Sequence, residues 1–269
     1  MIQLNSGTQM PEIGFGTGKT STEAVVNALK AGYRLLDTAQ MYGNEAEVGE
    51  AVRISEVPRE EVFVTTKLNN GHHDPSAVHE TFAASLERLD MDYVDLFLIH
   101  WPMPMLEVDY VDTWKAMMEL AESGRARAVG VSNFQPDHLQ RLIDATGVAP
   151  AVNQIEMHPY FPNDEVREYC QDHGIAVQAW SPLARTDQFG EPILAEIADR
   201  LGVTPAQVML RWHLQRGVVA IPKSNTPERI ASNRDIYSFE LSPQDMTGIA
   251  SLDKGEDGRR GGHPDSFRG

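Results

Sequence analysis

The chain has 269 residues, of which 41% are hydrophobic and 23% charged, and its formal net charge is −16. A charge this negative argues against a nucleic-acid partner, which needs concentrated lysine and arginine, and against an anionic membrane surface. No stretch approaches the roughly 18 consecutive apolar residues of a membrane-spanning helix, the first residues do not resemble a signal peptide, and the single cysteine, Cys170, cannot form an internal disulfide.

These features lead us to expect a cytoplasmic protein without a membrane or nucleic-acid partner, in which Cys170 is a buried structural thiol. We also expect the protein to be a monomer. Eight short apolar segments alternate with segments of helical periodicity, which predicts parallel strands covered by helices. The predicted strands, in chain order, are 13–16, 33–36, 62–66, 94–99, 126–131, 151–155, 175–180 and 218–221.

Local signals mark the elements around these strands. Residues 2–10 are expected to form a small β-hairpin before the first strand. Residues 20–23 read Thr-Ser-Thr-Glu, a capping box for the first helix, and Asp74-Pro75 is typical of the start of the third. Eight strand–helix units in about 250 residues predict a single (β/α)8 TIM-barrel domain over residues 1–269, with extra helices or loops at its C-terminal end.

An open, doubly wound sheet is the alternative fold, and it would need a topological switch point and usually a glycine-rich first turn. Residues 14–20 contain three glycines but match neither common phosphate-binding motif. Ile13 stands where a Walker loop needs glycine, and Lys19 stands where the dinucleotide fingerprint needs its last glycine. We interpret the cluster as a tight turn that lets a ligand approach the backbone.

Four polar residues lie at or just beyond the ends of three neighbouring predicted strands: Asp37, Tyr42, Lys67 and His100. A free tyrosine titrates near pH 10 and is a poor acid at neutral pH. A lysine ammonium nearby would lower the pKa of Tyr42, and a carboxylate would hold that lysine charged and in position. His100 would then orient a carbonyl oxygen. This set predicts an enzyme that protonates a carbonyl while a hydride arrives.

The sequence resembles the aldo-keto reductase family over essentially its full length. The resemblance rests on short segments in this order: Asp37-Thr38-Ala39, Tyr42-Gly43-Asn44-Glu45, Thr66-Lys67-Leu68, Leu98-Ile99-His100-Trp101-Pro102, Gly130-Val131-Ser132-Asn133-Phe134, Asn153-Gln154-Ile155-Glu156, His158-Pro159, Trp180-Ser181-Pro182-Leu183 and Ile221-Pro222-Lys223-Ser224. The resemblance implies a barrel with its site at the C-terminal ends of the strands and a nicotinamide cofactor, NADPH, bound without a Rossmann fold.

The resemblance also implies cofactor-binding residues. Ser132, Asn133 and Gln154 match those that bind the nicotinamide carboxamide, and Trp180 matches the aromatic residue that stacks on the nicotinamide ring. Positions 223–229 match the loop that holds the adenosine 2′-phosphate, and they gather cations and hydroxyls at a helix N-terminus, where anions bind readily. The full predicted cofactor set is Gly16, Thr17, Ser132, Asn133, Gln154, Trp180, Ser181, Leu183, Lys223, Ser224, Asn225, Thr226, Arg229 and Asn233.

The chain departs from the family pattern at several positions. Asn225 and Ser232 stand where valine and glutamate are frequent, which affects how strictly NADPH is preferred over NADH. In the substrate pocket, Gly18 and Asn69 replace tryptophans of many relatives, whereas Trp101 remains. The segment 102–109 is short as well. We therefore expect a wide, poorly walled pocket.

The predicted function is NADPH-dependent reduction of aldehydes or ketones, of the small dicarbonyl or keto-sugar type that short-loop bacterial members of the family use, with Tyr42 as general acid. One alternative is a cofactor-binding barrel that acts as a redox sensor or regulatory subunit, and another is a purely structural barrel. His72, His73 and His79 lack partners at metal-ligand spacing, so no metal site is predicted.

Overall fold

A computed structural model describes residues 1–184 and 188–268. Two short strands pair antiparallel and form the N-terminal hairpin: β1 (Ile2–Gln3) and β2 (Gln9–Met10). Eight further strands form one parallel sheet: β3 (Phe15–Gly16), β4 (Leu35–Asp37), β5 (Phe63–Leu68), β6 (Leu96–Ile99), β7 (Val129–Ser132), β8 (Val152–Glu156), β9 (Ala176–Trp180) and β10 (Val218–Ala220). The expected hairpin and eight parallel strands are confirmed.

Helices connect and follow the strands, and within the described residues they are α1 (Thr22–Lys30), α2 (Glu45–Ile54), α3 (Pro75–Leu89), α4 (Tyr110–Glu122), α5 (Pro136–Thr146), α6 (Asp164–Asp172), α7 (Pro192–Leu201), α8 (Pro205–Gln215), α9 (Pro227–Arg234) and α10 (Pro243–Ala250). Asp74 caps α3 as predicted, accepting a hydrogen bond from the Ser76 N–H. The predicted capping box at α1 is wrong in detail, because the cap is Ser21, which accepts from the Ala24 N–H.

The strands follow one another around the sheet in chain order, from β3 to β10, so the described residues contain no switch point of a doubly wound fold. Ile13 forms a parallel bridge with Ala220, and the Gly14 N–H donates to the Ala220 carbonyl at 2.9 Å. These contacts join the first strand region to the last. The α/β architecture is consistent with a (β/α)8 barrel.

The apolar core has two parts. The larger cluster lies between the sheet and its helices and includes Cys170, which is fully buried as predicted. A smaller cluster contains alternate strand residues such as Leu35 and Leu98, together with Leu4 and Met10 of the hairpin. Because strand side chains alternate between faces, the helices cover one face of the sheet and the hairpin packs against residues of the other.

All eight predicted strands differ from the observed ones by one to three residues at one or both ends. The predictions 33–36 and 62–66 stop short, because β4 continues to Asp37 and β5 continues through Lys67 to Leu68. Asp37 and Lys67 therefore lie on the strands themselves, where the ladder hydrogen bonds fix their backbones. In the described residues, no helix is long and apolar enough to cross a membrane.

Candidate active site

The four predicted catalytic residues converge at the C-terminal ends of β4, β5 and β6. Lys67 is completely buried, and its Nζ donates to Asp37 Oδ1 at 2.5 Å and to the Thr38 carbonyl at 2.9 Å. A buried ammonium is tolerated only when it is paired and hydrogen-bonded. Tyr42 follows β4 in a short 3-10 turn, and its ring centroid lies 5.2 Å from Lys67 Nζ.

The electrostatics of Tyr42 and Lys67 are coupled. Burial alone would lower the pKa of Lys67, but the Asp37 carboxylate and then Tyr42 raise it above its usual value. Burial raises the pKa of Tyr42, and the charge of Lys67 opposes that rise. The sequence-based expectation that Tyr42 has a lowered pKa is therefore wrong, although the charge of Lys67 acts in the expected direction. Tyr42 carries its proton at neutral pH.

His100 is the fourth member and lies beside Tyr42. Their ring centroids are 6.0 Å apart with the rings nearly perpendicular. Burial, followed by the charge of Lys67, lowers the pKa of His100 to about 3, so the imidazole is neutral. Its Nδ1 is buried and finds no hydrogen-bond partner among the described residues. The proton of the neutral ring therefore belongs on Nε2, since a buried N–H without an acceptor is costly.

A cavity of about 610 Å³ opens above this set. It brings together most of the predicted site residues, namely Gly16, Gly18, Asp37, Tyr42, His100, Trp101, Ser132, Asn133, Gln154, Trp180, Ser181, Leu183 and Lys223. A second cavity of about 400 Å³ shares Leu183 and Lys223 with the first. It adds the predicted residues Ser224, Arg229 and Asn233 and also the substituted position Ser232. Because they share these residues, the two cavities adjoin, and we refer to them together as the groove.

Hydrogen bonds fix the residues expected around the nicotinamide. The Trp180 indole Nε1 donates to Asn133 Oδ1 at 2.8 Å, and Asn133 Nδ2 donates to the His100 carbonyl at 2.9 Å. Asn133 and Ser181 both have left-handed backbones, with φ of 65° and 50°. Such conformations are uncommon outside glycine and are often found at ligand sites.

The far end of the groove carries two cations. Neither Lys223 nor Arg229 forms an ion pair with a carboxylate in residues 1–184 or 188–268. Arg229 lies in the first turn of α9, and the Ser224 hydroxyl accepts a hydrogen bond from the Thr226 N–H at 3.0 Å. Asn225 Nδ2 lies 3.5 Å from the Lys19 carbonyl, which brings this loop next to the loop after β3. Cations at a helix N-terminus favour the binding of an anion, so the binding of a phosphate here stays a prediction.

Five predicted residues do not line either cavity: Thr17, Lys67, Asn69, Asn225 and Thr226. Thr17 is completely buried, and both its hydroxyl and its N–H donate to the Asp37 carbonyl, at 3.0 and 2.9 Å. Asn69 is half-buried, and its N–H donates to Gln40 Oε1 at 2.8 Å. Thr17 therefore supports the strand end that carries Asp37. Its contact with cofactor and the contact of Asn69 with substrate stay predictions.

The C-terminal segment 260–267 packs against two residues that line the site, Trp101 and Trp180, and the sequence reasoning missed this contact. Phe267 stacks on Trp101 with centroids 3.9 Å apart and an interplanar angle of 21°. The buried Glu156 carboxylate anchors the segment by accepting from the N–H groups of Arg260 and Gly261, at 2.6 and 2.7 Å. The ring of Phe267 thus supports Trp101, which lines the central cavity, and the wide pocket expected from Gly18 and Asn69 stays a prediction.

Glycine at position 261 allows this close approach. A Cβ there would lie 2.5 Å from the Trp180 ring and 2.9 Å from Glu156 Oε2. The adjacent pair Gly261-Gly262 was the available sequence signal, because glycine often marks close packing of a backbone against another group. For the described residues, no group of three or more His, Cys, Asp and Glu side chains has an arrangement that could hold a metal ion.

Comparison with known proteins agrees with this geometry. Residues 6–254 match the model of the Aldo/keto reductase family. An aldo-keto reductase of Mycolicibacterium smegmatis is 50% identical over 99% of this chain and 97% of its own length. The methylglyoxal reductase DkgA of Escherichia coli is 45% identical over 100% and 98%. The crystal structure of a Gox0644 mutant in complex with NADPH superposes with a TM-score of 0.94 at 41% identity, covering 99% of this chain and 98% of that one.

Proposed function

The chain belongs to the aldo-keto reductase family, and on that premise we propose that it reduces small dicarbonyls or keto sugars to alcohols with NADPH, with Tyr42 as the general acid. It is an NADP-dependent oxidoreductase. The observation that carries the proposal is the buried Asp37–Lys67 pair directly beneath Tyr42 and His100, at the floor of the central cavity. We take the curled sheet, with its Ile13–Ala220 bridge, to be the closed (β/α)8 barrel of the family.

The charge and the lining residues of the groove support NADPH as the cofactor. Its far end presents Lys223 and Arg229, which have no carboxylate partner within residues 1–184 and 188–268, and two such cations suit the additional phosphate of NADPH. Its near end presents Asn133, Gln154 and Trp180 above the catalytic residues, and these would hold the nicotinamide ring. When bound, NADPH supplies the hydride, and the protein's task is to place the carbonyl and deliver the proton.

The catalytic residues divide that task. The neutral His100 has its proton on Nε2 and can donate a hydrogen bond to the substrate oxygen, which fixes the direction of the carbonyl. Tyr42 gives its proton to the same oxygen as negative charge develops there. Lys67 stabilises the tyrosinate that remains, and Asp37 keeps Lys67 charged within the barrel. His100 and Tyr42 therefore act on the substrate oxygen directly, whereas Lys67 acts on Tyr42 and Asp37 acts on Lys67.

The pocket suggests which carbonyl compounds are accepted. Trp101 stacked on Phe267 provides a flat apolar wall on one side, while Gly18 leaves space beside the Tyr42 ring on the other. DkgA, a relative with 45% identity over the whole chain, is a methylglyoxal reductase. A small dicarbonyl substrate is consistent with both facts.

A substrate panel tests the proposal. Methylglyoxal, 2,5-diketo-gluconate and a monofunctional aldehyde are supplied with NADPH, and the loss of NADPH absorbance is followed. We expect turnover with the dicarbonyls. Tight NADPH binding without turnover of any of the three would instead support the sensor or regulatory barrel, and absence of NADPH binding would support a structural barrel.

A further inference from the structure

Gln178 is a buried polar residue that the proposed mechanism does not use. It lies in β9 in register with Gln154 of β8, and its side chain is completely buried. Inward positions in barrels of this kind are filled mainly by branched apolar residues. Burying a primary amide is unfavourable unless both of its polar ends are hydrogen-bonded. A glutamine at this position therefore has a role in a polar network.

The network is a chain of four side chains that begins in the N-terminal hairpin. Gln178 Nε2 donates to Met10 Sδ at 3.0 Å, and Gln178 Oε1 accepts from Gln154 Nε2 at 2.9 Å. Gln154 Nε2 also donates to Asp37 Oδ2 at 2.7 Å. The other oxygen of Asp37 accepts from the catalytic lysine. The chain thus connects the hairpin to the catalytic carboxylate.

The two ends of this hydrogen-bond network, Met10 and Asp37, determine which atom donates in each of its hydrogen bonds. A thioether has no hydrogen to donate, so the end of Gln178 that faces Met10 must be Nε2. Gln178 then presents Oε1 to Gln154, and this requires Gln154 to present Nε2. The Asp37 carboxylate, an acceptor in its ionised form, imposes the same orientation from the other side. Both amide hydrogens of Gln154 are therefore used, and its Oε1 remains.

We infer that Gln178 is a positioning residue that holds Gln154 Oε1 toward the central cavity, where it accepts a hydrogen bond from the carboxamide NH2 of the nicotinamide. This inference rests on the proposed function, since Gln154 lines the cavity in which the nicotinamide would bind. According to this inference, the Met10–Gln178 pair makes the protein prefer a cofactor with a carboxamide over one with a group of similar size that lacks N–H hydrogens.

The test compares two cofactors that differ only at this group. Dissociation constants are measured for NADP⁺ and for its acetylpyridine analogue, in which a methyl ketone replaces the carboxamide. The wild-type protein is expected to prefer NADP⁺. Gln178→Leu should reduce that preference by about threefold to tenfold, the effect of one hydrogen bond, through weaker binding of NADP⁺ alone. An equal loss for both cofactors, or an unchanged ratio, would overturn the inference.

Two further variants keep the test decisive. Met10→Leu removes only the sulfur acceptor at the start of the network. It should lower the preference for NADP⁺ over the acetylpyridine analogue in the same direction but by a smaller factor. If Gln178→Leu does not fold, an unchanged preference in Met10→Leu overturns the inference. The matched control is Gln207→Leu, which makes the same exchange at another buried glutamine. Gln207 lies in α8, and its Nε2 donates to the Asp235 carbonyl at 2.6 Å. This control should leave the ratio at the wild-type value, and a decrease there equal to that of Gln178→Leu would attribute the effect to general loosening.

The wild-type protein separates this inference from the proposed function. If it neither binds NADP⁺ nor reduces dicarbonyls, the proposed function fails and the inference fails with it. If it does both and the cofactor ratio does not respond to Gln178→Leu or Met10→Leu, only the role of Gln178 is wrong.

Discussion

Replacing Lys67 with methionine tests how strongly the buried lysine controls proton donation by Tyr42. The Lys67 Nζ lies 5.2 Å from the centroid of the Tyr42 ring. At an effective dielectric constant near 20, a charge at this distance stabilises a tyrosinate by about 3 kcal/mol. The transition state carries much of that negative charge, so losing the ammonium should slow the chemical step on the order of a hundredfold.

The assay is a single-turnover measurement of methylglyoxal reduction, followed by NADPH absorbance, with deuterated NADPH to establish that hydride transfer limits the rate. Lys223→Met is the matched control, because it removes a lysine charge at the phosphate end of the groove. It should weaken NADPH binding while leaving the single-turnover rate at saturation unchanged. A Lys67→Met protein that folds, shows the isotope effect and reacts within about threefold of wild type would refute the electrostatic role.

Four further outcomes are expected. Tyr42→Phe should lower turnover about a hundredfold or more while the dissociation constant for NADPH stays unchanged; near-normal turnover, with chemistry limiting, would show that another group donates the proton. Arg229→Ala should weaken NADPH binding by roughly 1.5–3 kcal/mol, the value of a charge-assisted contact, but leave NADH binding unaltered; equal losses in titrations with both would assign the residue to the fold. A side chain at Gly18 would begin 3.5 Å from the Tyr42 ring. Gly18→Trp should therefore lower the Michaelis constant for a small aromatic aldehyde and exclude a bulky ketone. Unchanged Michaelis constants for both substrates would contradict this. Finally, burial lowers the pKa of His100 and of His213 to about 3. The unfolded chain therefore binds more protons below about pH 6.5, and the free energy of unfolding, measured with urea, should fall as the pH decreases from there toward 3. Replacing either histidine with asparagine should reduce that slope.

The number and order of the strands and the tetrad could be predicted because their signals are local. Each apolar run of the sheet is short and bounded, and polar residues that end neighbouring parallel strands must meet at one edge. Asp37, Lys67 and His100 follow this rule, and the structure brings all three together.

The remaining features depend on contacts that no local pattern encodes. Phe267 lies far from Trp101 in the chain, and its segment has neither helical nor strand periodicity. The net direction of the pKa of Tyr42 depends on burial by the surrounding elements, which competes with the charge of Lys67. Thr17 belongs to a motif of ligand-binding appearance, yet its side chain bonds to the backbone beneath the cavity.

The location of Phe267 has a consequence for how this enzyme could diversify. The proton-donating groups come from the first hundred residues, whereas the ring that packs on the cavity-lining Trp101 belongs to Phe267, near the other end of the sequence. Glu156 attaches that segment through backbone N–H groups, which every residue except proline carries. The side chains beyond the anchor can therefore vary without loss of the attachment. Mutagenesis libraries confined to residues 263–268 should alter substrate selectivity while the catalytic residues stay unchanged.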